Sequence, residues 1–448
     1  MHKGPGIRFD MTDYKISVFG LWHLGCISAA CLAEMGYNVI GTEFDKKVID
    51  NLNKSNPPIF EPELKELISR NLNKNLSFTY DKKCALAESD FIFIAFDTKV
   101  DDEDMVDIST VMQSVEVIGN ECKEDAIIIV TSQVPIGTCD IIRERIYSIK
   151  GQNKTDVVYM PENLRLGKAI EIFMHPDRIV IGADNTVTME KIKDLFSPIQ
   201  CDKLEMSVRS AEMTKHALNS YLATCISFIS EISDYCELGN ANAFDVVRAL
   251  KTDRRVSPYA PLSPGFGFAG GTLARDVQTL RTFARKNNID SKLMDAVLEV
   301  NRERKNVLIN KIIRSLGDLN GVNIGILGLT YKAGTDTLRR SVSLEVAAEL
   351  SSMGAKIKAY DPKISKTITE HPEILISNSP EEVAVKAKAL ILLTEWPEFK
   401  NIDYRKMRDL MIAPNFFDSK NFLEPHTMYE LGYSYFGMGI NKTEIEGK

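Results

Sequence analysis

The chain has no C-x-x-C pair and no cysteine after Cys236; its eight cysteines stand at 26, 31, 84, 122, 139, 201, 225 and 236. That scatter matches neither a zinc-ligand pattern nor a disulfide framework. Unpaired thiols suit a reducing, cytoplasmic setting. No run approaches the ~20 apolar residues of a membrane span, and the opening MHKGPGIRFDMTDY lacks an apolar core of signal-peptide length. An excess of basic residues is missing too: the net charge is -7, which argues against non-specific nucleic-acid binding. No low-complexity tract or metal-ligand grouping occurs, and the six histidines are scattered without the order of a hydrolase triad. The closing NKTEIEGK reads as a frayed polar tail.

What is present is a soluble globular composition, 44% hydrophobic and 26% charged, over 448 residues, enough for two or three domains. KISVFG from Lys15, LWHLGCISAACLAEMG and YNVIGTEFD read as strand, glycine turn, helix and strand, the βαβ opening of a doubly wound nucleotide fold. SDFIFIAF and EDAIIIVTS are continuous β-branched and aromatic runs, the mark of strands buried on both faces. From Ser207 to about Glu237 neither Gly nor Pro occurs and the rhythm is helical. GVNIGILGLTYKAG, SVSLEVAAELSSMG and AKIKAYDP then repeat the strand, turn, helix and strand series. The expected class is α/β, with two Rossmann-like doubly wound lobes joined by a helical central domain. The boundaries read as 1–206, 207–308 and 309–448.

The turn GLWHLG, Gly20 to Gly25, matches the dinucleotide fingerprint at its first and third glycines and carries Trp22 at the second, followed by His23 and Leu24. An indole there requires either a shifted phosphate or a side chain turned outward. Glu43, about twenty residues on at the end of the second strand, is placed to accept hydrogen bonds from ribose hydroxyls and to repel a 2′-phosphate, so NAD is expected over NADP. The turn of the second lobe, GLTYKAG, does not follow the fingerprint, so only the first lobe is expected to hold a dinucleotide.

Ten segments in order, among them NPPIFEPEL, VPIGT, MPENLRLG, AEMTKHALNSYLATCISF, PGFGFAGGTLARD, GLTYKAGTDTLRRS and TEWPEF, resemble the UDP-glucose/GDP-mannose dehydrogenase family from about Lys15 to about Leu431. Members oxidise C6 of a nucleotide sugar to a carboxylate with two NAD. The resemblance implies an NAD-binding first lobe, a uridine-diphosphate-binding last lobe and a homodimer formed through the long central helix. It implies that Lys215 and Asn219, spaced i, i+4 on one helical face, stabilise the substrate alkoxide. Asp276 would hold a water that takes the hydroxyl proton, and Glu162 matches the first glutamate of the family's P-E-F-L-x-E-G. Thr98, Gln133 and Arg339 fall on cofactor-contacting positions. Arg255, Gly267, Lys332 and Lys420 fall on substrate-binding ones, with Arg255 matching an arginine sent across the dimer interface.

The departures cluster. The family loop G-F-G-G-S-C-F-P-K-D is GFAGGTLARD here, so the nucleophilic cysteine falls on Thr272. Leu166 replaces the second glutamate of P-E-F-L-x-E-G, and Gln133 replaces the threonine of S-T-V-P. A hydroxyl without an adjacent base is a far weaker nucleophile than a thiol. Cys225 lies six positions past Asn219, about 120° around the helix from it. The expected activity is therefore an NAD-dependent hydride transfer on a nucleotide sugar, in nucleotide-sugar or polysaccharide biosynthesis, without the cysteine thioester. The alternative is a pseudoenzyme that binds NAD or a nucleotide sugar as a sensor or assembly partner.

Overall fold

The computed structural model describes residues 14–101, 105–151, 154–162, 164–268 and 271–440. The polar tail, nearly all of the opening segment, and Ala269 and Gly270 of the glycine-rich stretch lie outside the described residues. The chain divides into two compact units, Met1–Ala217 and Leu218–Lys448.

In the first unit the apolar runs become strands β1 (Lys15–Phe19), β2 (Asn38–Thr42), β3 (Leu76–Thr79), β4 (Phe91–Ile94), β5 (Ile127–Val130), β6 (Asp156–Tyr159), β7 (Arg178–Gly182) and β8 (Asp202–Met206). They form one sheet in the order β8-β7-β6-β5-β4-β1-β2-β3. From β3 to β6 every pairing is parallel, for example Ile16 with Val39 and with Phe91. β7 joins β6 antiparallel, at Tyr159 and Gly182. The order 3-2-1-4-5-6 reverses between β1 and β4, and in doubly wound sheets that crevice receives the ligand at the carboxyl ends of the strands. β4 and β5 are buried at every position, as strands covered by helices on both faces must be. Helix α1 (His23–Glu34) is buried continuously from Leu24 to Ala33, and its small residues let it lie close on the sheet.

The Gly- and Pro-free segment forms a 31-residue helix, α2 (Val208–Leu238), across which the division between the units falls. The second unit also holds α3 (Gly271–Lys286), α4 (Lys292–Leu316), and strands β9 (Asn323–Leu327), β10 (Lys356–Tyr360), β11 (Leu375–Ile376), β12 (Ala389–Leu392), β13 (Asn415–Asp418) and β14 (Ser434–Phe436). The strands form an all-parallel sheet, β11-β10-β9-β12-β13-β14, the same doubly wound order as in the first lobe. Buried clusters occupy both of its faces, one around Ile326, Ile357 and Ile391, the other around Leu327, Leu390 and Phe416. In the same unit α4 is tied to α2 by Arg304, 2% exposed, whose guanidinium donates to both oxygens of Asp234 at 2.6 and 3.1 Å. Among the described residues no helix is long and apolar enough to cross a membrane.

Candidate functional site

The glycine turn is required by contact distances. Gly20 has φ +99°, and a Cβ there would lie 2.8 Å from the Phe96 nitrogen; a Cβ at Gly25 would lie 1.6 Å from the Gly20 oxygen. Only glycines allow helix α1 to start this close to β1 and β4. Trp22, at the N-cap of α1, is 47% exposed, so its indole turns outward. Leu24 points into the core. His23 is held through Nε2, 3.1 Å from Glu61 Oε2, and the same carboxylate accepts from the backbone N–H groups of Gly167 and Ala169 at 2.8 Å each.

Glu43 follows β2 directly. Its Oε2 accepts from the Leu21 N–H at 2.7 Å and its Oε1 from the Phe44 N–H at 2.6 Å, which pins the carboxylate beside the glycine turn. Each oxygen keeps a second lone pair, enough to accept from ribose hydroxyls. Turn, helix N-terminus and pinned acid fit an adenine dinucleotide. The corresponding acid of the second lobe is Asp361, after β10, and it is spent internally. Its Oδ2 accepts from Leu329 N, Thr330 N, Thr330 Oγ1 and Trp396 Nε1 at 2.8–3.1 Å, and its Oδ1 from Lys363 N at 2.9 Å. With Oδ2 saturated and the residue 2% exposed, Asp361 is not an equivalent ribose acceptor.

Within the first unit, the start of α2 is anchored by polar side chains. Glu212, fully buried, accepts from Gly137 N (2.6 Å) and Cys139 N (2.9 Å), capping the helix Thr138–Lys150. His216 Nε2 lies 3.0 Å from the Val134 oxygen. Lys215, one residue before it, is buried and donates to the main-chain oxygen of Glu162 at 2.7 Å. Thr98 donates to the Gln133 carbonyl at 2.8 Å, which joins two of the residues expected at the cofactor. Leu166 is partly exposed.

Within the second unit, Asn219 donates through Nδ2 to Oδ2 of Asp276, and both side chains are buried. The GTLARD segment, read from the sequence as the end of a loop, is the first turns of α3, so Thr272 is an exposed hydroxyl in the first helical turn and Asp276 is a helical residue. Gly267 has φ +76°, and a Cβ there would meet Asn301 Oδ1 at 2.4 Å. Asn301 in turn bonds both the N–H and the carbonyl of Phe268, at 2.8 and 3.0 Å, so the loop is clasped onto α4. Lys420 lies 5.9 Å from the Phe266 ring centroid and 3.7 Å from Glu395, while Asn421 donates to the Pro264 carbonyl at 3.0 Å. Lys420 and the glycine-rich loop thus meet. Lys332 lies 5.6 Å from the Tyr331 ring centroid, and Arg339 is exposed. Arg255 is exposed and paired with Asp253, 2.7 Å away, which holds its pKa above the usual guanidinium range. Cys225 is buried among Ile229, Val247, Ala260 and Leu262.

Three family models match in chain order: the NAD binding domain of the UDP-glucose/GDP-mannose dehydrogenase family over residues 14–200, its central domain over 209–303, and its UDP binding domain over 325–425. A UDP-glucose 6-dehydrogenase from Rickettsia conorii is 32% identical over 432 residues, 95% of this chain and 99% of that protein. The chain belongs to the UDP-glucose/GDP-mannose dehydrogenase family. Another relative, a UDP-glucose 6-dehydrogenase from Bacillus subtilis, is 33% identical over 95% of this chain and 97% of its own length. Among solved structures, a UDP-glucose dehydrogenase from Pyrobaculum islandicum superposes with a TM-score of 0.86 at 28% identity, covering 97% of this chain and 99% of that one. NAD is accordingly the cofactor of this family member, and the pinned Glu43 beside Gly20 and Gly25 is consistent with it.

Four buried carboxylates that organise this dehydrogenase fold escaped the sequence reading: Glu61, Glu212, Asp361 and Asp418. Asp418, at the end of β13, accepts from Lys420 N, Phe422 N, Leu423 N and the Tyr435 hydroxyl at 2.9–3.0 Å, and shapes the turn that presents Lys420. Burial raises its pKa against these bonds. Glu61 lay inside a quoted segment, but its partners are 38, 106 and 108 positions away. No local spacing announces such bonds.

Proposed function

We propose that this chain oxidises the primary hydroxyl of a nucleotide-linked sugar, UDP-glucose or a close relative, with NAD and without a covalent cysteine intermediate, as a step in nucleotide-sugar or polysaccharide biosynthesis in the cytoplasm. The observation that carries the reading is the contrast within α3: Asp276 is buried and hydrogen-bonded by Asn219, whereas Thr272, one turn earlier, is an exposed hydroxyl.

When bound, NAD supplies the hydride acceptor. The sugar alcohol loses a hydride and a proton, giving an aldehyde, NADH and H⁺. Lys215, fixed by the Glu162 carbonyl, supplies positive charge where the alkoxide develops, and the Asn219 amide adds a donor one helical turn away. The buried Asp276 carboxylate orients that amide and holds the water that accepts the proton. Lys332, Lys420, Arg255 and Arg339 are the cations we assign to the diphosphate and cofactor phosphates; a lysine meets phosphate as a point charge without the arginine fork. Thr98 and Gln133 line the cofactor side. No base is assigned to the Thr272 hydroxyl, so the aldehyde is not trapped as a hemiacetal and no ester is formed from it.

Titration of NADH formed against a limiting panel of UDP- and GDP-sugars tests this. One NADH per sugar with an aldehyde product is expected; two per sugar with a uronic acid would overturn it. Binding of NAD or sugar nucleotide with no turnover across the panel would favour the sensor reading.

The partner is a second copy. Along α2, Tyr221, Phe228 and Tyr235 recur at seven-residue spacing and are 55%, 47% and 57% exposed, with Leu238 close to the same stripe. An aromatic stripe about 21 Å long is a packing surface rather than a solvent face. Phe228→Arg should halve the mass seen by light scattering while leaving the helical circular-dichroism signal intact. An unchanged mass in both proteins would remove this helix from the interface.

A further inference from the structure

Lys82 opens the short helix Lys82–Leu86 three residues after β3, at the carboxyl edge of the first sheet. Its Nζ donates to the main-chain carbonyl of Glu43 at 2.6 Å and to that of Tyr80 at 2.8 Å, and it stands 3.9 Å from the Tyr80 ring centroid and 5.8 Å from that of Phe44. An ammonium has three donors, and these two carbonyls use two of them. The side chain is therefore immobilised at the end of β2 with one N–H to spare. Burial lowers its pKa, while the negative charges of Glu43 and Asp81 oppose that shift.

The Glu43 carboxylate is pinned at the same strand end by Leu21 and Phe44. In doubly wound folds this strand end meets the adenosine ribose: an acid there accepts from its hydroxyls, and a nearby cation accommodates a 2′-phosphate. This chain carries both. Glu43 alone would repel a dianion strongly; with an ammonium bonded to its own carbonyl, much of that repulsion is offset and the counter-charge for a phosphate is already seated. Neither the hydride-transfer residues nor the fingerprint uses Lys82.

We propose that the carboxyl end of β2 is a latent 2′-phosphate site, with Lys82 as its cation and the Glu43 carboxylate as the single group that closes it. The inference rests on the adenosine of NAD lying at this strand end. Removing the charge of Glu43 should therefore open the lobe to 2′-phosphorylated dinucleotides without any added arginine.

Calorimetry with ADP-ribose and 2′-phospho-ADP-ribose on the full chain tests it without catalysis. The wild type should prefer ADP-ribose. Glu43→Gln should tighten 2′-phospho-ADP-ribose by about tenfold to a hundredfold, the range of a charge-assisted hydrogen bond. Glu43→Gln with Lys82→Met should lose that gain, and Glu43→Gln with Lys82→Arg should keep it, which separates loss of charge from loss of fold. Equal 2′-phospho-ADP-ribose affinity in the Met and Arg double variants would overturn the role of Lys82. Failure of the wild type to bind ADP-ribose would overturn the placement of adenosine at this strand end, and the latent site with it.

Discussion

Replacing Thr272 by cysteine should give a second equivalent of NADH as a single burst and a protein whose intact mass rises by one acyl nucleotide-sugar. Position 272 lies in the first turn of α3, and the first turn of a helix, through its backbone N–H groups and the helix dipole, favours an anion. A thiol placed there is displaced toward thiolate from its usual value near ~8.5. The thiolate adds to the aldehyde carbon as a thiohemiacetal; loss of hydride to a second NAD makes the thioester and NADH. Water must then cleave the C–S bond to release acid, and the carboxylate that the family resemblance associates with this step is absent at Leu166. The single variant should therefore stall as thioester, and Thr272→Cys with Leu166→Glu should turn over to uronic acid. Leu166 is partly exposed, so a carboxylate there carries little desolvation cost. If Thr272→Cys shows neither burst nor mass increase while its aldehyde-forming rate matches wild type, the assignment of this position to the acyl step fails.

Lys215→Ala should lower the rate of the first hydride transfer by about 10²–10³-fold, the range for loss of one preorganised donor at a developing oxyanion. The loss should sit in kcat, with NAD affinity by calorimetry unchanged, because the charge acts mainly after the alkoxide begins to form. The variant also removes the 2.7 Å hydrogen bond that the Lys215 ammonium donates to the part-buried Glu162 carbonyl, so a stability loss of about 1.5–3 kcal/mol, the worth of a hydrogen bond from a charged group, should accompany it. Single-turnover rates measured well below the melting transition separate the two effects. A rate within tenfold of wild type would take Lys215 out of the chemistry.

Much of this was legible before any coordinates. Two βαβ series announced two doubly wound lobes, because strands covered on both faces need unbroken apolar runs and crossover helices need small residues where they lie close to the sheet. The 31-residue helix was legible because no glycine or proline interrupts it. The Gly20 and Gly25 pair also spoke from the sequence, since a chain turning that tightly tolerates no Cβ at either position.

Other features exist only once the chain is closed on itself. Glu43 and Asp361 occupy the same position in equivalent lobes, yet one carboxylate keeps acceptor capacity and the other is consumed by a turn, a threonine and an indole; the difference comes from Thr330 and Trp396, 31 positions before and 35 beyond Asp361. For Trp22 the sequence left open a shifted phosphate or a side chain turned outward, and only the fold shows the indole, at the N-cap of α1, to be outward. The bond from Lys82 to the Glu43 carbonyl, across 39 positions, likewise follows from packing of elements distant in the chain. Periodicity and spacing encode local backbone geometry, whereas the pairing of polar groups is chosen among all partners that folding brings within hydrogen-bond reach.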